Sequence, residues 1–292
     1  QFAFIVLPTI IFFGGFMSSM YYLGIMQKII NTMSKFMRWS MGTSGAETLS
    51  CSANIFVGQT EAPLLVKPFL DKMTKSELLT IMVGGFATIA GGVLAGYIAM
   101  GVPAGHILAA SVMSAPAALV IGKIIYPETE ESETSGNVKL PKIESGSNLI
   151  ESATNGITDG LKLAVNVGTM LLVFIALMSM ANYILFKIGD WTTLNAWITT
   201  NTRYSELSFN MILGYIGAPI AWLVGVCKED MFLVGQLLGE KTVLNEFVAY
   251  VSLGEMKTAG EFVEQKSIII ATYILCGFAN FASIGIQIGG IG

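Results

Sequence analysis

Ser52-Ala53-Asn54-Ile55-Phe56-Val57-Gly58-Gln59-Thr60-Glu61-Ala62-Pro63 is the stretch that decides the fold. A polar run carrying an acid sits inside long apolar sequence. Pro63 removes a backbone donor, and Gly58 permits backbone angles that other residues avoid. An acid beside Gln, Thr, Gly and Pro in such surroundings marks a broken helix where a polar ligand can sit.

The composition makes those surroundings a bilayer. Of 292 residues, 53% are hydrophobic and 12% charged, against about 25% charged in a soluble domain. The 32 glycines suit transmembrane helices, where they allow close approach and local unwinding. The net charge of −4 carries little information, because the charges cluster in loops. Cys51, Cys227 and Cys276 are far apart in apolar sequence and read as small buried hydrophobes, with no disulfide framework. No GxSxG, HExxH or P-loop is present, and His106 has no partner at metal spacing, so no standard catalytic set assembles. The chain opens and stops in apolar sequence, which leads us to expect further residues at both ends.

Working outward, residues 1–27 form one apolar run long enough to cross a core of roughly 30 Å. Lys28, Lys35 and Arg38 follow on an amphipathic stretch that reads as an interfacial helix. The run 39–66 is interrupted at Gly58–Pro63 and flanked by basic residues on both sides. One straight span cannot begin and end on the positive side of a membrane; a re-entrant helical hairpin can. Residues 78–122 carry no Asp, Glu, Lys or Arg and break at Gly101-Val102-Pro103. The glycines around Thr88 make the first of these two spans a candidate unwound helix, or alternatively a small-residue packing face. Residues 127–147 are a polar loop, and Ser147 or Asn148 caps a short amphipathic helix leading to Lys162. Residues 163–186 are the next span, and Lys187–Glu206 an external loop. The run 207–227 centres on Gly214–Pro219, 231–254 is an apolar helix interrupted near Gly239–Glu246, and 267–292 is a final span.

Gly58–Pro63 and Gly214–Pro219 share the frame G-x-x-x-A-P. The first hairpin opens from the basic side. Three crossings follow, which would place a second hairpin, with its tip at Gly214–Pro219, on the opposite side. That is the pattern of an inverted-topology repeat with a site near the midplane.

Glu61 and Glu246 are the two acids read as deepest in apolar sequence. A buried carboxylate needs a cation, a donor set or water. A bridge to Lys241 or a helix cap would satisfy them without function. Asn280 and Ser283 share a helix face with Phe278 nearby, and interhelical hydrogen bonding is the plain alternative for them. With Gln59 and Thr60, the set exceeds what packing needs. It suits a neutral, hydroxyl-bearing ligand with a ring. Asn54, Thr88 and backbone carbonyls could hold a hard cation such as Na⁺.

These residues resemble a known family. Gly58-Gln59-Thr60-Glu61-Ala62-Pro63 with Asn54 before it resembles the first re-entrant hairpin of concentrative nucleoside transporters. Asn245-Glu246-Phe247-Val248-Ala249-Tyr250 resembles the family's seventh-helix motif, and Gly277–Gly285 its eighth-helix motif. The resemblance covers essentially the whole chain, without the family's first two helices and last segment. It implies an all-α polytopic membrane protein with inverted repeats, two re-entrant helical hairpins and interrupted transmembrane helices, arranged as a scaffold and a transport domain. Residues 1–38 would then be a scaffold helix and the interfacial helix. The first transport half would be 39–103, a transmembrane helix 104–126, and a cytoplasmic loop 127–147. A second interfacial helix and scaffold helix would occupy 148–190, and the second transport half 191–292.

By motif, the resemblance assigns Gln59, Thr60 and Glu61 to the nucleobase, with Val93 lining that side and Phe278 beside the base. Glu246, Asn280 and Ser283 would bind the ribose. Sodium would take Asn54, the Val57 carbonyl, Thr88 and the Ile89 carbonyl, the last two by position alone. The expectation is a sodium-driven nucleoside symporter of a bacterial inner membrane, uridine-like in substrate, homotrimeric and elevator-type, with no nucleic acid partner. The alternatives are proton coupling through Glu61 or Glu246 and, from another class, a membrane-embedded enzyme with paired acids. The second lacks His, Ser or metal-ligand neighbours for those acids.

Overall fold

Among the described residues, three apolar stretches become helices long and apolar enough to cross a membrane, within Phe4–Tyr22, Ala104–Ile125 and Leu149–Trp191. The computed structural model describes residues 2–59, 61–89, 91–134 and 146–291. All regular structure among the described residues is helical. The chain divides into two units, residues 1–165 with 276–292, and residues 166–275.

In the first unit, α1 (Phe2–Tyr22) leads through Gly24 into α2 (Ile25–Met41). Met26, Ile30, Ser34 and Met37 form the buried stripe of α2, while Lys28 and Lys35 are exposed. This is the amphipathic helix expected from three- and four-residue apolar spacing. Next come α3 (Gly45–Asn54), the short α4 (Glu61–Leu64) and a 3₁₀ turn, Lys67–Lys72. The break therefore begins just after Asn54, a few residues earlier than the glycine and proline signal suggests. Pro63 lies in the first turn of α4, where a missing N–H leaves no bond unmade.

α5 (Lys75–Ala87) ends at Thr88, and α6 (Gly91–Ala99) and then α7 (Ala104–Ile125) follow. The start of α3 meets the start of α5. Glu77 accepts hydrogen bonds from Ser132 and Thr134 and is hydrogen-bonded with Ser44. The Thr134 carbonyl in turn takes the Gly45 N–H at 2.9 Å. Lys123 of α7 reaches Glu47 at 2.9 Å and Glu128 at 3.1 Å. Glu47 is an acid of the run 39–66 that the sequence reading passed over in favour of Glu61. It is buried, and it closes a capping box with Ser44, which satisfies donors at the start of α3.

Three sequence expectations need correction beyond this point. The helix ending at Lys162 and the span 163–186 are one helix, α8 (Leu149–Trp191), 43 residues long. At 1.5 Å per residue it is about 64 Å, twice a bilayer core. It absorbs the start of the expected loop at 187–206, which also contains α9 (Leu194–Asn201). The second correction concerns Gly214–Pro219, which do not turn the chain. They lie inside the continuous α10 (Phe209–Leu223). Gly214 and Gly217 instead let α10 touch the next helix backbone to backbone. A Cβ on Gly235 would fall 2.5 Å from the Ala218 nitrogen and 2.6 Å from the Gly214 oxygen.

The fold-back lies one element later. α11 (Met231–Val243) and α12 (Glu246–Ala259) are parted only by Leu244 and Asn245. Ser252 hydrogen-bonds Glu240, although a straight helix would hold residues twelve apart at about 18 Å. At the other end, Asp230 accepts the Val263 N–H at 2.9 Å and the Glu264 N–H at 3.0 Å. α11 and α12 therefore form an antiparallel hairpin with Asp230 at its base. The third correction concerns the expected final span 267–292, which is interrupted: α13 (Gln265–Leu275) closes the second unit, and α14 (Phe281–Ile291) belongs to the first.

Burial alone would raise the Asp230 carboxyl, but the Val263 and Glu264 donors outweigh it and hold it below the ordinary carboxylate value. A depressed folded pKa stabilises above the unfolded value and is lost as pH falls through the folded one, below about pH 4. Asp230→Ala strands two backbone donors, at a cost on the order of 1–3 kcal/mol. Its melting temperature in detergent should drop by several degrees at pH 7, and the gap to wild type should narrow in acid. An unchanged melting temperature would remove Asp230 from the hairpin base.

Candidate functional site

Three interruptions of helix converge in the first unit. The tip between α3 and α4 docks on the start of α6, where the Phe56 carbonyl accepts the Gly91 N–H at 3.1 Å. Ser111 of α7 approaches the neighbouring Ile55 carbonyl at 3.3 Å. The interruption between α13 and α14 lies against the end of α5. Gly277, at φ +104°, sits so close that a Cβ would fall 2.6 Å from the Ala87 oxygen. Only glycine meets both the angle and the approach.

The side chains meet where the backbones do. Gln59, buried at the tip, donates from Nε2 to the Ser283 Oγ at 3.2 Å. Asn280 caps α14 through its Oδ1, which accepts the Ser283 N–H at 2.9 Å. That satisfies one exposed donor of a helix start and fixes Ser283 beside the tip. Phe278 is half-buried two residues before Asn280, and Val93 is buried on α6, two residues beyond Gly91. Glu61 is exposed at the start of α4, where its Oε2 accepts the Gly58 N–H at 3.2 Å. Thr60 lies outside the described residues.

A second cluster lies alongside. Asn54 ends α3 with no measurable exposure, and neither its Oδ1 nor its Nδ2 has a hydrogen-bond partner among the described residues. Leaving a buried amide unpaired costs about 1–3 kcal/mol per group. Asn54 faces α5 at Gly84, whose Cβ position is 3.5 Å from the Asn54 Nδ2. One turn on, the Thr88 Oγ1 donates to the Gly84 carbonyl at 2.8 Å. Thr88 and Ile89 are both buried at the end of α5, and Val57 is half-buried at the tip. Oxygen ligands on two broken helix ends, with an orphaned carboxamide among them, fit a hard monovalent cation.

Glu246 belongs to the second unit. It is buried as the first residue of α12, directly after Asn245, whose Oδ1 accepts the Val248 N–H at 3.0 Å. Each of the two acids singled out in the sequence thus opens the helix that follows a break. The start of a helix favours negative charge.

Gln287 escaped the sequence reading. It is buried on α14, and its Nε2 lies 3.3 Å from the Gln59 Oε1 and 3.1 Å from the Met82 carbonyl. Its only sequence signal is a single amide in an apolar run.

Comparison with known proteins gives a consistent result. The family profile described as "Na+ dependent nucleoside transporter C-terminus" matches residues 106–292, and one described as "Nucleoside recognition" matches residues 3–104. Solute carrier family 28 member 3 of Eptatretus stoutii is 45% identical over 99% of this chain and 43% of its own length. An uncharacterized transporter of Haemophilus influenzae is 44% identical over 100% of this chain and 68% of its own. Among solved structures, CNTnw in an inward-facing substrate-bound state matches with a TM-score of 0.88 and 41% identity, over 100% of this chain and 66% of that one. The chain thus spans under half the length of the first of these relatives.

Proposed function

Because the chain belongs to the family of Na⁺-dependent, concentrative nucleoside transporters, we propose that it carries the substrate and ion sites of a sodium-driven nucleoside symporter rather than of an enzyme. The observation that carries this reading is the hydrogen bond from Gln59 to Ser283. It joins the tip that follows α3 to the start of α14 and so brings together Gln59, Ser283 and, through its cap, Asn280, three of the polar side chains that the resemblance assigns to the nucleoside.

In this reading Gln59, Thr60 and Glu61 bind the base, with Val93 and Phe278 as its apolar walls. Glu246, Asn280 and Ser283 take the ribose hydroxyls. A carboxylate accepts from a hydroxyl more strongly than an amide does. Asn54 and Thr88, with the Val57 and Ile89 carbonyls, hold the sodium ion. The two breaks that open on an acid support an inverted repeat, with hairpins at α3–α4 and α11–α12. Elevator-type exchange, a homotrimer, uridine-like preference and a bacterial inner membrane complete the proposal.

Coupling follows from linkage. Asn54 and Val57 precede Gln59 by a few residues, so the ion and the base are held by one tip. Sodium that orders this tip raises nucleoside affinity, and nucleoside raises sodium affinity by the same factor. Thr88→Ala should raise the sodium concentration for half-maximal uridine binding roughly tenfold, as expected for losing a contact of about 1.4 kcal/mol, with uridine affinity at saturating sodium little changed. An unchanged sodium dependence would remove Thr88 from the ion site. Uptake of labelled uridine into proteoliposomes tests the whole reading. An inward sodium gradient should drive accumulation. Accumulation driven by a pH gradient without sodium would favour proton coupling instead.

A further inference from the structure

We propose that Gln287 is a positioning residue that sets the hydrogen-bond polarity of Gln59 and Ser283, and so makes this part of the site select ligands that present an acceptor there. The proposal rests on the functional reading above.

A backbone carbonyl can only accept, so whichever group of Gln287 faces the Met82 oxygen must be the amide nitrogen. That orients the side chain. Its Nε2 spends one hydrogen on the Met82 carbonyl at 3.1 Å and the other on the Gln59 Oε1 at 3.3 Å. Its own Oε1 is left buried with no partner among the described residues, a cost consistent with an orientation dictated from outside the amide.

Polarity then propagates. With the Gln59 Oε1 held by Gln287, its Nε2 must face Ser283, where it donates to Oγ at 3.2 Å. A serine oxygen that accepts from Gln59 directs its own hydrogen elsewhere. The pair therefore offers a ligand the serine O–H and the second N–H of Gln59, which are both donors. In the opposite polarity Ser283 would donate to Gln59, and its oxygen would face the ligand as an acceptor. On the base side, where Gln59 reaches the ligand, a ring carbonyl of a pyrimidine accepts the second Gln59 N–H, while an exocyclic amine at that edge does not; the Ser283 O–H is left for the ribose. Gly85 keeps the space for this relay. A Cβ there would overlap the Gln287 amide nitrogen and come within 3.3 Å of the Gln59 Cβ.

The test measures uridine and cytidine dissociation constants in saturating sodium for wild type, Gln287→Met and Gly85→Ala. Met keeps the length of Gln and fills the same space without an amide. Ala is the better helix former at position 85, so Gly85→Ala should fold while displacing the relay. Wild type should favour uridine over cytidine. Both variants should weaken uridine binding about 3- to 10-fold, the value of one net hydrogen bond, with cytidine changing less, so that the ratio moves toward one. The sodium requirement should stay as in wild type. Equal loss for both nucleosides, or an unchanged ratio, would overturn the positioning role while leaving the transporter reading intact. Failure of wild type to bind either nucleoside would overturn that reading and this inference with it.

Discussion

Glu246→Gln weakens uridine binding about 10- to 100-fold, the expected result of replacing charge-assisted hydrogen bonds worth roughly 1.5–3 kcal/mol with neutral ones. Glu246 is buried as the first residue of α12. In the proposed complex its carboxylate accepts from the ribose hydroxyls. Gln keeps the shape and removes the charge, so the protein should still fold. Isothermal titration of the purified variant in saturating sodium reads the effect. A 2′,3′-dideoxynucleoside should lose little on the same substitution, because it has no hydroxyls to give. Wild-type uridine affinity in the variant would place the ribose elsewhere.

Asn54→Leu should act in opposite directions on stability and on sodium response. Both polar atoms of the Asn54 carboxamide are buried and unpartnered among the described residues. An apolar side chain of similar size removes that penalty, so melting in sodium-free buffer should be unchanged or raised. The same change removes an ion ligand. Wild type should be stabilised by added sodium according to RT ln(1 + [Na⁺]/Kd), whereas the variant should melt at one temperature with or without it. Thermal melts across a sodium series, with choline at constant ionic strength, would show both. A variant that still gains stability from sodium would contradict the assignment.

The parts of this fold that sequence made legible are those where polar residues interrupt apolar ones. The first break announced itself through Gly58, Gln59 and Glu61, and the break at Thr88 through the glycines around it, whereas the break before Asn280 lies inside what reads as one continuous span, 267–292. The second hairpin was misplaced because the frame G-x-x-x-A-P was matched by residue type. Gly214 and Gly217 are three apart, which on a helix makes a small-residue face, and the structure uses them to seat α11. The true turn at Leu244–Asn245 carries neither glycine nor proline. Its signal is an N-cap Asn followed by an acid at the first helical position, which reads equally well as the start of any helix.

The site shows the same division. Asn54, Gln59, Asn280 and Ser283 stand out because a bilayer makes each polar group costly. Gln287 and Glu47 did not stand out, for opposite reasons. Gln287 has no polar neighbours in sequence, and its partners Gln59 and Met82 are more than two hundred residues away. Glu47 sits in a stretch rich in Ser and Thr, and it takes meaning only when Lys123 arrives from α7.

Equilibrium binding of uridine to the purified protein, in sodium and then with choline replacing it at constant pH, tests the central claim most directly. The account predicts tight binding in sodium and at least tenfold weaker binding in choline. Equal binding in both would contradict sodium coupling through Asn54 and Thr88, and no binding in either would contradict the nucleoside site itself.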